Sequence, residues 1–400
     1  MTDLRQVRRA TVHKQGVAAA TLERTDSGTR FSYLPDYSGP AVATTLPLTD
    51  RPEDRPGGAV PPFFAGLLPE GRRLSNVRRA LKASPDDELS LLLAVGADLI
   101  GDVQVLPEGE EPHEPIPLVH HGHDFSDVSF HDLLAESGII DPVGIAGMQD
   151  KVSARMLSVP VASATERYIL KLDPPEYADV VRNEEYFLSI ARRLRHPVAK
   201  ARVVLDREER PGLLVTRFDR VSENGTMRRI AVEDALQLLG RYPAEKYSVT
   251  SEDVAEAVGR VCAARPVALR AVFQQFVLAW LTGNGDLHAK NISVLRSGQE
   301  WRVSPIYDVP SGLFYGDRTA ALPLQGKLEN LVRARFLDFA AAIGLPSRAA
   351  ETAIAEVLAV TERVPDELRA GVLPLTDRVV RDACRSLERR RRDMLPPDAG

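Results

Sequence analysis

The sequence predicts an α+β fold in which a small mixed α/β subdomain is followed by a β-rich lobe and then by an all-helical lobe. Two observations predict it. Residues 1–50 and 152–218 contain short runs in which apolar and polar residues alternate, which is the period of a half-buried strand. From residue 231 onward the apolar residues recur mostly at helical spacing. Strands gathered in one part of a chain and helices in the next indicate an α+β organisation.

Breaks in composition divide the chain into four parts. Residues 107–117 hold four prolines and four glutamates, which indicates a linker. We therefore expect a first subdomain over 1–110, a linker over 111–130, a β-rich N-lobe over 131–218 and a helical C-lobe over 219–400. Five of the eight histidines lie between His113 and His131, and a polar linker explains them better than a metal site does.

Composition restricts the class of protein. The 400 residues are 44% hydrophobic and 27% charged, as in ordinary soluble proteins, and no apolar run approaches the ~18 residues of a membrane span. The first residues do not resemble a signal peptide, so we expect a cytoplasmic protein. The net charge of −5 gives no general attraction to nucleic acid. Cys262 and Cys384 are too few for a disulfide framework or a zinc site, and we expect both to be buried and inert.

Three polar residues near the middle of the helical part carry the chemistry. Asp286 is followed five residues later by Asn291, and Asp308 comes further along the chain. Phosphoryl transfer needs one carboxylate facing the acceptor hydroxyl and two oxygen ligands that hold Mg²⁺ against the phosphates. The spacing Asp-Leu-x-x-x-Asn is that of a protein-kinase catalytic loop. It therefore predicts Asp286 as the base and Asn291 and Asp308 as the metal ligands.

The flanking residues favour this interpretation over a plain turn. Gly, Asn and Asp tolerate left-handed backbone angles, so a run such as Asn284-Gly285-Asp286, which stands where His-Arg-Asp is usual, could be purely structural. The apolar run 273–281 would bury and fix the loop, however. The runs 292–295 and 301–303 are typical of two short strands, which would return Asp308 to the side of the loop.

The β-rich part contains a second set of candidate residues. Gly144 and Gly147 precede a strand-like run, and such glycines let backbone N–H groups approach phosphates, although an ordinary turn stays open because no Walker A pattern follows. Lys171 lies inside an apolar run, where its ammonium needs a partner such as nucleotide phosphates unless it reaches water at a strand edge. Glu184 or Glu185 could pair with Lys171, or either could be an acid of a first helical turn.

A candidate hinge follows these residues. The run 212–215 is typical of a buried strand, and it leads to a polar break at Asp219. The backbone at Thr216 and Phe218 could meet the edge of an adenine ring. A β-rich lobe, a hinge and a helical lobe that carries the catalytic loop together indicate a protein-kinase-like bilobal core.

With these motifs in order, the chain resembles the HipA family of type II toxin–antitoxin serine/threonine kinases over nearly its full length. Residues 64–71, Phe-Ala-Gly-Leu-Leu-Pro-Glu-Gly, are similar to the family's N-terminal signature. Residues 146–151 are similar to its phosphate loop, and residues 284–291 to its catalytic loop. Glu233 and the pair Lys246-Tyr247 also stand where the family has similar residues.

The resemblance implies an ATP-dependent kinase that uses Mg²⁺ and phosphorylates a serine of a cytoplasmic protein, in characterised relatives an aminoacyl-tRNA synthetase. It also implies a small helix-turn-helix antitoxin as partner, contact with DNA only through that antitoxin, and no membrane. It assigns Asp286, Lys171, Asn291 and Asp308 to catalysis. The residues that would bind the nucleotide are Ala146, Gly147, Met148, Gln149, Asp150, Lys151, Lys171, Thr216, Arg217, Phe218, His288, Lys290, Asn291, Tyr307 and Asp308.

One position departs from the family. Many relatives carry a serine just before the phosphate loop and autophosphorylate it, which silences the kinase. Gly144 stands at that position, and Ser153 lies beyond the loop. We therefore expect control to rest on the partner or on another serine.

Two other functions stay open. The loop also fits small-molecule phosphotransferases of the aminoglycoside or choline kinase type, although such enzymes do not carry the Leu-Leu-Pro-Glu-Gly subdomain. A non-catalytic nucleotide-binding regulator of a DNA-binding partner is the other alternative, but that role does not need both metal ligands.

Overall fold

The computed structural model describes residues 3–84, 86–114, 125–136, 156–163, 166–223 and 225–396. Within them, helices and antiparallel sheets form an N-terminal subdomain, an N-lobe and a C-lobe, which meet around one cleft. The domain boundaries drawn from the sequence stay predictions. No helix in these ranges is long and apolar enough to cross a membrane.

The N-terminal subdomain is built on a five-stranded antiparallel sheet. Its strands are β1 (Arg9–Lys14), β2 (Val17–Thr25), β3 (Gly28–Tyr33), β4 (Glu53–Pro56) and β5 (Val103–Pro107). Its helices are α1 (Pro62–Gly66), α2 (Gly71–Leu81) and α3 (Glu88–Val95). The strand order is β4-β3-β2-β1-β5, so the last strand returns to pair with the first. Alternate strand residues such as Val12, Leu22 and Phe31 pack with Phe64 and Leu92 into a separate core.

In the part of the N-lobe that the structure describes, a four-stranded antiparallel sheet is accompanied by two helices. These elements are α4 (Phe130–Glu136), β6 (Leu157–Ala162), β7 (Arg167–Leu172), α5 (Val180–Ala191), β8 (Ala201–Leu205) and β9 (Pro211–Thr216), with strand order β6-β7-β9-β8. In β7, Tyr168, Leu170 and Leu172 pack into the lobe's core. The strand period of two therefore turns Ile169 and Lys171 to the opposite face, where they line the cleft.

The C-lobe is mainly helical, and five short strands supplement the helices. Its helices are α6 (Ala235–Leu238), α7 (Ser251–Val261), α8 (Arg265–Thr282), α9 (Arg333–Ala342), α10 (Ser347–Val360), α11 (Val364–Arg369) and α12 (Asp377–Met394). Its strands are β10 (Arg220–Glu223), β11 (Thr226–Arg229), β12 (Val232–Asp234), β13 (Ser293–Ser297) and β14 (Glu300–Val303). The hairpin β13–β14 corresponds to the two strands predicted from the sequence. Cys262 and Cys384 are buried and unpaired, as expected, and burial raises the pKa of Cys262 to about 11.

Helix α8 fixes the point at which the catalytic loop begins. It is buried on every side by residues such as Phe273, Val277 and Trp280, as expected for the central helix of a large core. The helix ends at Gly283, which has φ +74°, and a Cβ there would lie 2.4 Å from the Leu313 side chain. Glycine meets both the left-handed backbone angle and the close approach.

Buried charges attach the N-terminal subdomain to the hinge. The Arg217 and Arg220 guanidinium groups both reach Asp98, at 2.8 and 3.1 Å, and both reach Asp219, at 2.8 and 2.7 Å. Asp219 also accepts a hydrogen bond from the Gly101 N–H at 2.9 Å. Burial alone would raise the pKa of Asp219, but the two arginines outweigh it and lower that pKa to about 2. Asp219 is therefore an anion at neutral pH.

Two further contacts join the subdomain to the C-lobe. Thr44 donates hydrogen bonds from its N–H and hydroxyl to the Glu233 carboxylate, at 2.9 and 2.6 Å. The Gln237 side chain donates to the Phe63 carbonyl at 2.8 Å. Glu233 lies on β12, which pairs with β13 of the β13–β14 hairpin, and Gln237 lies on the adjoining helix α6. The subdomain is therefore packed directly against the elements around the predicted catalytic loop.

We expect Asp219→Asn to destabilise the folded chain by about 3–5 kcal/mol, because it leaves two buried guanidinium groups with one carboxylate fewer. Urea unfolding at pH 7 measures the change. The matched control is Asp54→Asn, which weakens the exposed pair with Arg30 and should cost at most about 1 kcal/mol. Equal stability of Asp219→Asn and the unsubstituted chain would contradict a structural role for the buried charges.

Candidate active site

The catalytic loop is closed by hydrogen bonds among its own residues. The Asn284 side chain accepts from the Asp286 N–H at 2.9 Å, and the Asn291 side chain donates to the Asp286 carbonyl, also at 2.9 Å. All three residues are buried. The loop therefore holds Asp286 from both sides, and the separation of five residues between Asp286 and Asn291 allows this closure.

Lys171 joins the N-lobe to the loop after the β13–β14 hairpin. Its ammonium donates to both carboxylate oxygens of Glu184, at 2.8 and 2.9 Å, and to Asp308 Oδ1 at 2.8 Å. Glu184 belongs to α5, so Glu184 and not Glu185 is the partner of this lysine; Glu185 pairs with Arg192. Strand β7, helix α5 and the Asp308 loop thus meet at one buried ammonium.

The charges of this cluster follow from burial and pairing. Burial would lower the pKa of Lys171, but Asp308 and Glu184 outweigh it, so that pKa is raised and the ammonium stays charged. Burial would raise the pKa of Asp308, yet Lys171 lowers it and keeps this carboxylate ionised. The pKa of Glu184 is raised, because burial and the neighbouring Asp308 exceed the effect of Lys171. Asp308 therefore keeps its negative charge at the edge of the cleft, where it pairs with Lys171.

The predicted metal ligands lie side by side. The Asn291 side chain is within hydrogen-bond reach of Asp308, and its amide nitrogen is held by the Asp286 carbonyl. An amide oxygen and a carboxylate oxygen are the hard ligands that Mg²⁺ prefers, with phosphates and water completing its octahedron. The residue types and their proximity fit the predicted magnesium site.

Asp286 has a second neighbour that the site prediction left out. The Tyr247 hydroxyl donates to Asp286 Oδ1 at 2.7 Å, and the Tyr247 ring packs edge-on against the His288 ring, with centroids 5.1 Å apart. Burial and the nearby Lys246 lower the pKa of His288 to about 4, so the imidazole is neutral at physiological pH. A tyrosine hydroxyl therefore orients the candidate base, while His288 lines the cleft without a charge.

The N-terminal signature reaches the catalytic loop through Glu70. Its carboxylate pairs with the Lys246 ammonium at 2.5 Å and with the Lys290 ammonium at 2.6 Å. Lys290 also donates to the Gly66 carbonyl at 3.0 Å. Burial alone would raise the pKa of Glu70, but the two lysines outweigh it and lower the pKa to about 2. Lys290, predicted to bind nucleotide, is thus held at the edge of the cleft by the subdomain.

A cleft of about 350 Å³ lies between the lobes and below the subdomain. Its apolar walls suit a flat aromatic base, and they include Leu99, Val159, Ile169, Ala199, Val215 and Val232. Tyr307 and Phe218 also line it, with ring centroids 5.7 Å apart. A second compartment of about 280 Å³ adjoins it and shares Lys171, Lys290 and Asp308 with it.

The three predicted hinge residues line the cleft, but they differ in whether their backbone N–H groups are free to donate a hydrogen bond. The Thr216 N–H already donates to the Lys200 carbonyl at 2.8 Å, and the Arg217 N–H donates to the Arg167 carbonyl at 2.9 Å. The Arg217 side chain is occupied by Asp98 and Asp219. Within the described ranges, the Phe218 N–H has no acceptor, so it is the hinge donor that a base edge can use.

The predicted phosphate loop, formed by Ala146, Gly147, Met148, Gln149, Asp150 and Lys151, lies outside the described residues. Gly144 and Ser153 lie outside them too. Of the predicted site, the structure brings together Lys171, Thr216, Arg217, Phe218, Asp286, His288, Lys290, Asn291, Tyr307 and Asp308. Glu70, Lys246 and Tyr247 were not among the predicted site residues. The signals that point to them are the N-terminal signature, which contains Glu70, and the family resemblance at Lys246-Tyr247.

Comparison with known proteins identifies the parts of the chain. Residues 143–364 match the family model described as the HipA-like C-terminal domain, and residues 10–106 match the HipA N-terminal domain. Y4mE of Sinorhizobium fredii, which is described as a candidate kinase, is 30% identical over 75% of this chain and 76% of its own length. The serine/threonine-protein kinase toxin HipA of Shewanella oneidensis is 25% identical over 86% of this chain and 84% of its own length.

The fold has a solved counterpart. HipA of Shewanella oneidensis, solved in complex with HipB and operator DNA, superposes with a TM-score of 0.76 at 21% identity, covering 96% of this chain and 97% of that one. This similarity confirms the α+β, kinase-like fold class that the sequence predicted.

We expect Glu70→Gln to lower the free energy of unfolding at pH 7 by about 1–3 kcal/mol, because two lysines lose their carboxylate. The contribution of Glu70 is present above its unfolded pKa of about 4.3 and is lost as pH falls towards about 2. The difference between the unsubstituted chain and the variant should therefore shrink on acidification. Urea unfolding between pH 3 and 7 measures it.

The control for this series is Glu108→Gln, since Glu108 is an exposed residue of the same subdomain whose pair with Arg9 is 3.5 Å long. Its effect should stay near zero at every pH. A Glu70→Gln difference that does not change with pH would show that the loss comes from packing and not from the carboxylate charge.

Proposed function

The chain belongs to the HipA family, and from this premise we propose that it is an ATP- and Mg²⁺-dependent serine/threonine protein kinase. The observation that carries the proposal is the convergence on one cleft of the Lys171–Glu184–Asp308 cluster and the closed Asp286–Asn291 loop. Ion pairing of a strand lysine with a helix glutamate, beside two metal ligands and a base, is the arrangement that phosphoryl transfer requires.

Each residue of the proposed site has one role. Lys171 binds phosphate oxygens, and Asn291 and Asp308 hold Mg²⁺, which neutralises phosphate charge when bound. Asp286 orients the acceptor hydroxyl and takes its proton as the hydroxyl oxygen bonds to the γ-phosphorus, while the bond from that phosphorus to the β–γ bridging oxygen breaks and ADP leaves. Tyr247 holds Asp286 in place.

The nucleotide proposal rests on the shape of the larger compartment. Apolar side chains from both lobes and from the subdomain line it, and Phe218, whose N–H has no acceptor within the described ranges, is among the lining residues. The phosphates of a nucleotide bound there would extend towards Lys171 and Asp308, where the two compartments meet. ATP suits a cleft of this kind, because its base is apolar and flat and its phosphates are charged.

For the acceptor we propose a serine of a cytoplasmic protein, by resemblance an aminoacyl-tRNA synthetase, and for the partner a small DNA-binding antitoxin. Support for the partner comes from the HipA of Shewanella oneidensis, which was solved with HipB and operator DNA. The subdomain favours a protein acceptor over a small alcohol, because small-molecule phosphotransferases of the aminoglycoside or choline kinase type do not carry it, whereas here Glu70 and Gly66 of the subdomain contact Lys290 in the cleft.

We expect Asp286→Ala to reduce phosphate transfer from ATP to protein by about 10²–10⁴-fold, the usual contribution of a general base, while ATP binding is retained. Radiolabel transfer from ATP to proteins of the expressing cell, together with the phosphoproteome, measures transfer and identifies the acceptor. Asp54→Ala, on the exposed surface of the subdomain, is the control. Transfer to small alcohols but to no protein would favour the small-molecule phosphotransferase, and full activity of Asp286→Ala would refute the assigned base.

We expect Tyr247→Phe to lower kcat about tenfold with an unchanged KM for ATP, because a hydrogen bond to a carboxylate is worth about 1.5–3 kcal/mol. The hydroxyl stabilises the anionic form of Asp286, so its loss should move the acid limb of the pH–rate profile to higher pH. Tyr242→Phe, which removes a hydroxyl bonded to the Val60 carbonyl, is the control. A lower kcat with an unmoved acid limb would indicate general loosening of the site instead.

A further inference from the structure

Arg73 is a cation of the N-terminal subdomain that lines the cleft and has no ion-pair partner among the residues that the structure describes. It lies in the first turn of α2 and is partly buried. Within the described ranges, its guanidinium forms no ion pair and no hydrogen bond. Burial lowers its pKa, with Asp98 opposing and Arg217 adding to the effect. The guanidinium is only partly buried, so within the described ranges its N–H donors are open to a ligand that enters the cleft.

Nearby carboxylates are already engaged by other cations. Asp98 is held by Arg217 and Arg220, and Glu70 is held by Lys246 and Lys290. Asp308 forms an ion pair with Lys171. These three carboxylates therefore already pair with other cations, and none of them forms an ion pair with Arg73.

Its position in the helix also argues against a stabilising role. The N-terminal end of a helix carries partial positive charge, so a cation in the first turn is unfavourable by about 0.3–1 kcal/mol. Helix α2 has no acidic residue in that turn. A cation that disfavours the start of its own helix and pairs with no side chain of the described residues is best explained by a ligand.

The ligand class follows from where Arg73 stands. It lines both compartments of the cleft, and the residues that the two compartments share include Lys171, Lys290 and Asp308. This is the junction at which phosphates of the proposed nucleotide would lie. A guanidinium presents a planar fork of N–H donors that matches phosphate oxygens two at a time.

We propose that Arg73 binds the phosphate chain of the nucleotide, so that the N-terminal subdomain completes the nucleotide site. This inference rests on the proposed kinase function and deepens it. The phosphates would lie between Lys171 on the N-lobe and Arg73 on the subdomain. Nucleotide binding would then draw the subdomain and the two lobes together, since each contributes a charged group.

The test measures binding of ATP with Mg²⁺ and of adenosine by titration calorimetry to the full chain. Arg73→Gln should weaken ATP binding at least tenfold and leave adenosine binding unchanged, because adenosine has no phosphates. Arg73→Lys keeps the charge without the fork and should bind ATP with intermediate affinity. The control is Arg8→Gln, since Arg8 is an exposed residue of the same subdomain, and it should bind ATP as the unsubstituted chain does.

Thermal melting separates a ligand role from a structural one. Without nucleotide, Arg73→Gln should melt at the same temperature as the unsubstituted chain or higher, since an unpaired cation is lost, and ATP should raise its melting temperature less. A lower melting temperature without nucleotide, or an equal loss of ATP and adenosine affinity, would refute the inference. So would unchanged ATP affinity with a raised KM for the protein acceptor, which would assign Arg73 to an acidic segment of the acceptor. If the unsubstituted chain binds no ATP, the proposed kinase function fails as well.

Discussion

The cleft depends on the ammonium of Lys171, because this group joins three segments that are distant in the chain. Glu184 on α5 and Asp308 after the hairpin both lie 2.8 Å from it. Taking such charges out of water is costly, and removal of one partner from a buried cluster typically costs about 3–5 kcal/mol. The cluster therefore specifies one arrangement of N-lobe and C-lobe. In the proposed reaction, phosphate oxygens can replace Asp308 at the ammonium, while Asp308 turns its charge to the metal.

The N-terminal subdomain is part of the site and not an appendage. Glu70 fixes two lysines beside the catalytic loop, and Asp98 fixes the arginines of the hinge. Thr44 reaches Glu233 on β12, the strand that pairs with β13 of the catalytic hairpin. Without these contacts Lys246 and Lys290 would lose the carboxylate that pairs with both of them, and the two hinge arginines would share Asp219 alone. The two lobes alone therefore do not form the complete cleft.

Short-range patterns in the sequence predicted much of this structure, and long-range pairing explains what they missed. The predicted catalytic loop could be recognised because its hydrogen bonds close within eight residues. Lys171 could be recognised because a lysine inside an otherwise apolar run needs a partner for its ammonium. The choice between Glu184 and Glu185 needed the rotation of α5. Glu70 meets Lys246 across 176 positions of sequence, and no local pattern encodes that distance. Tyr247 and Arg73 became visible for the same reason only in three dimensions.

The departure of the loop from the usual kinase pattern has a local physical cause. A Cβ at residue 285 would lie 2.3 Å from an Asp317 carboxylate oxygen and 2.9 Å from the Thr319 carbonyl, so the large side chain that usually precedes the catalytic Asp has no room. Asn284 takes over the bracing instead, since its amide accepts from the Asp286 N–H and donates weakly, at 3.4 Å, to the Asp308 carbonyl. One small polar residue thereby links the base segment to the metal segment. In the proposed kinase, Asn284 would thus hold the base where a larger residue holds it in the usual loop.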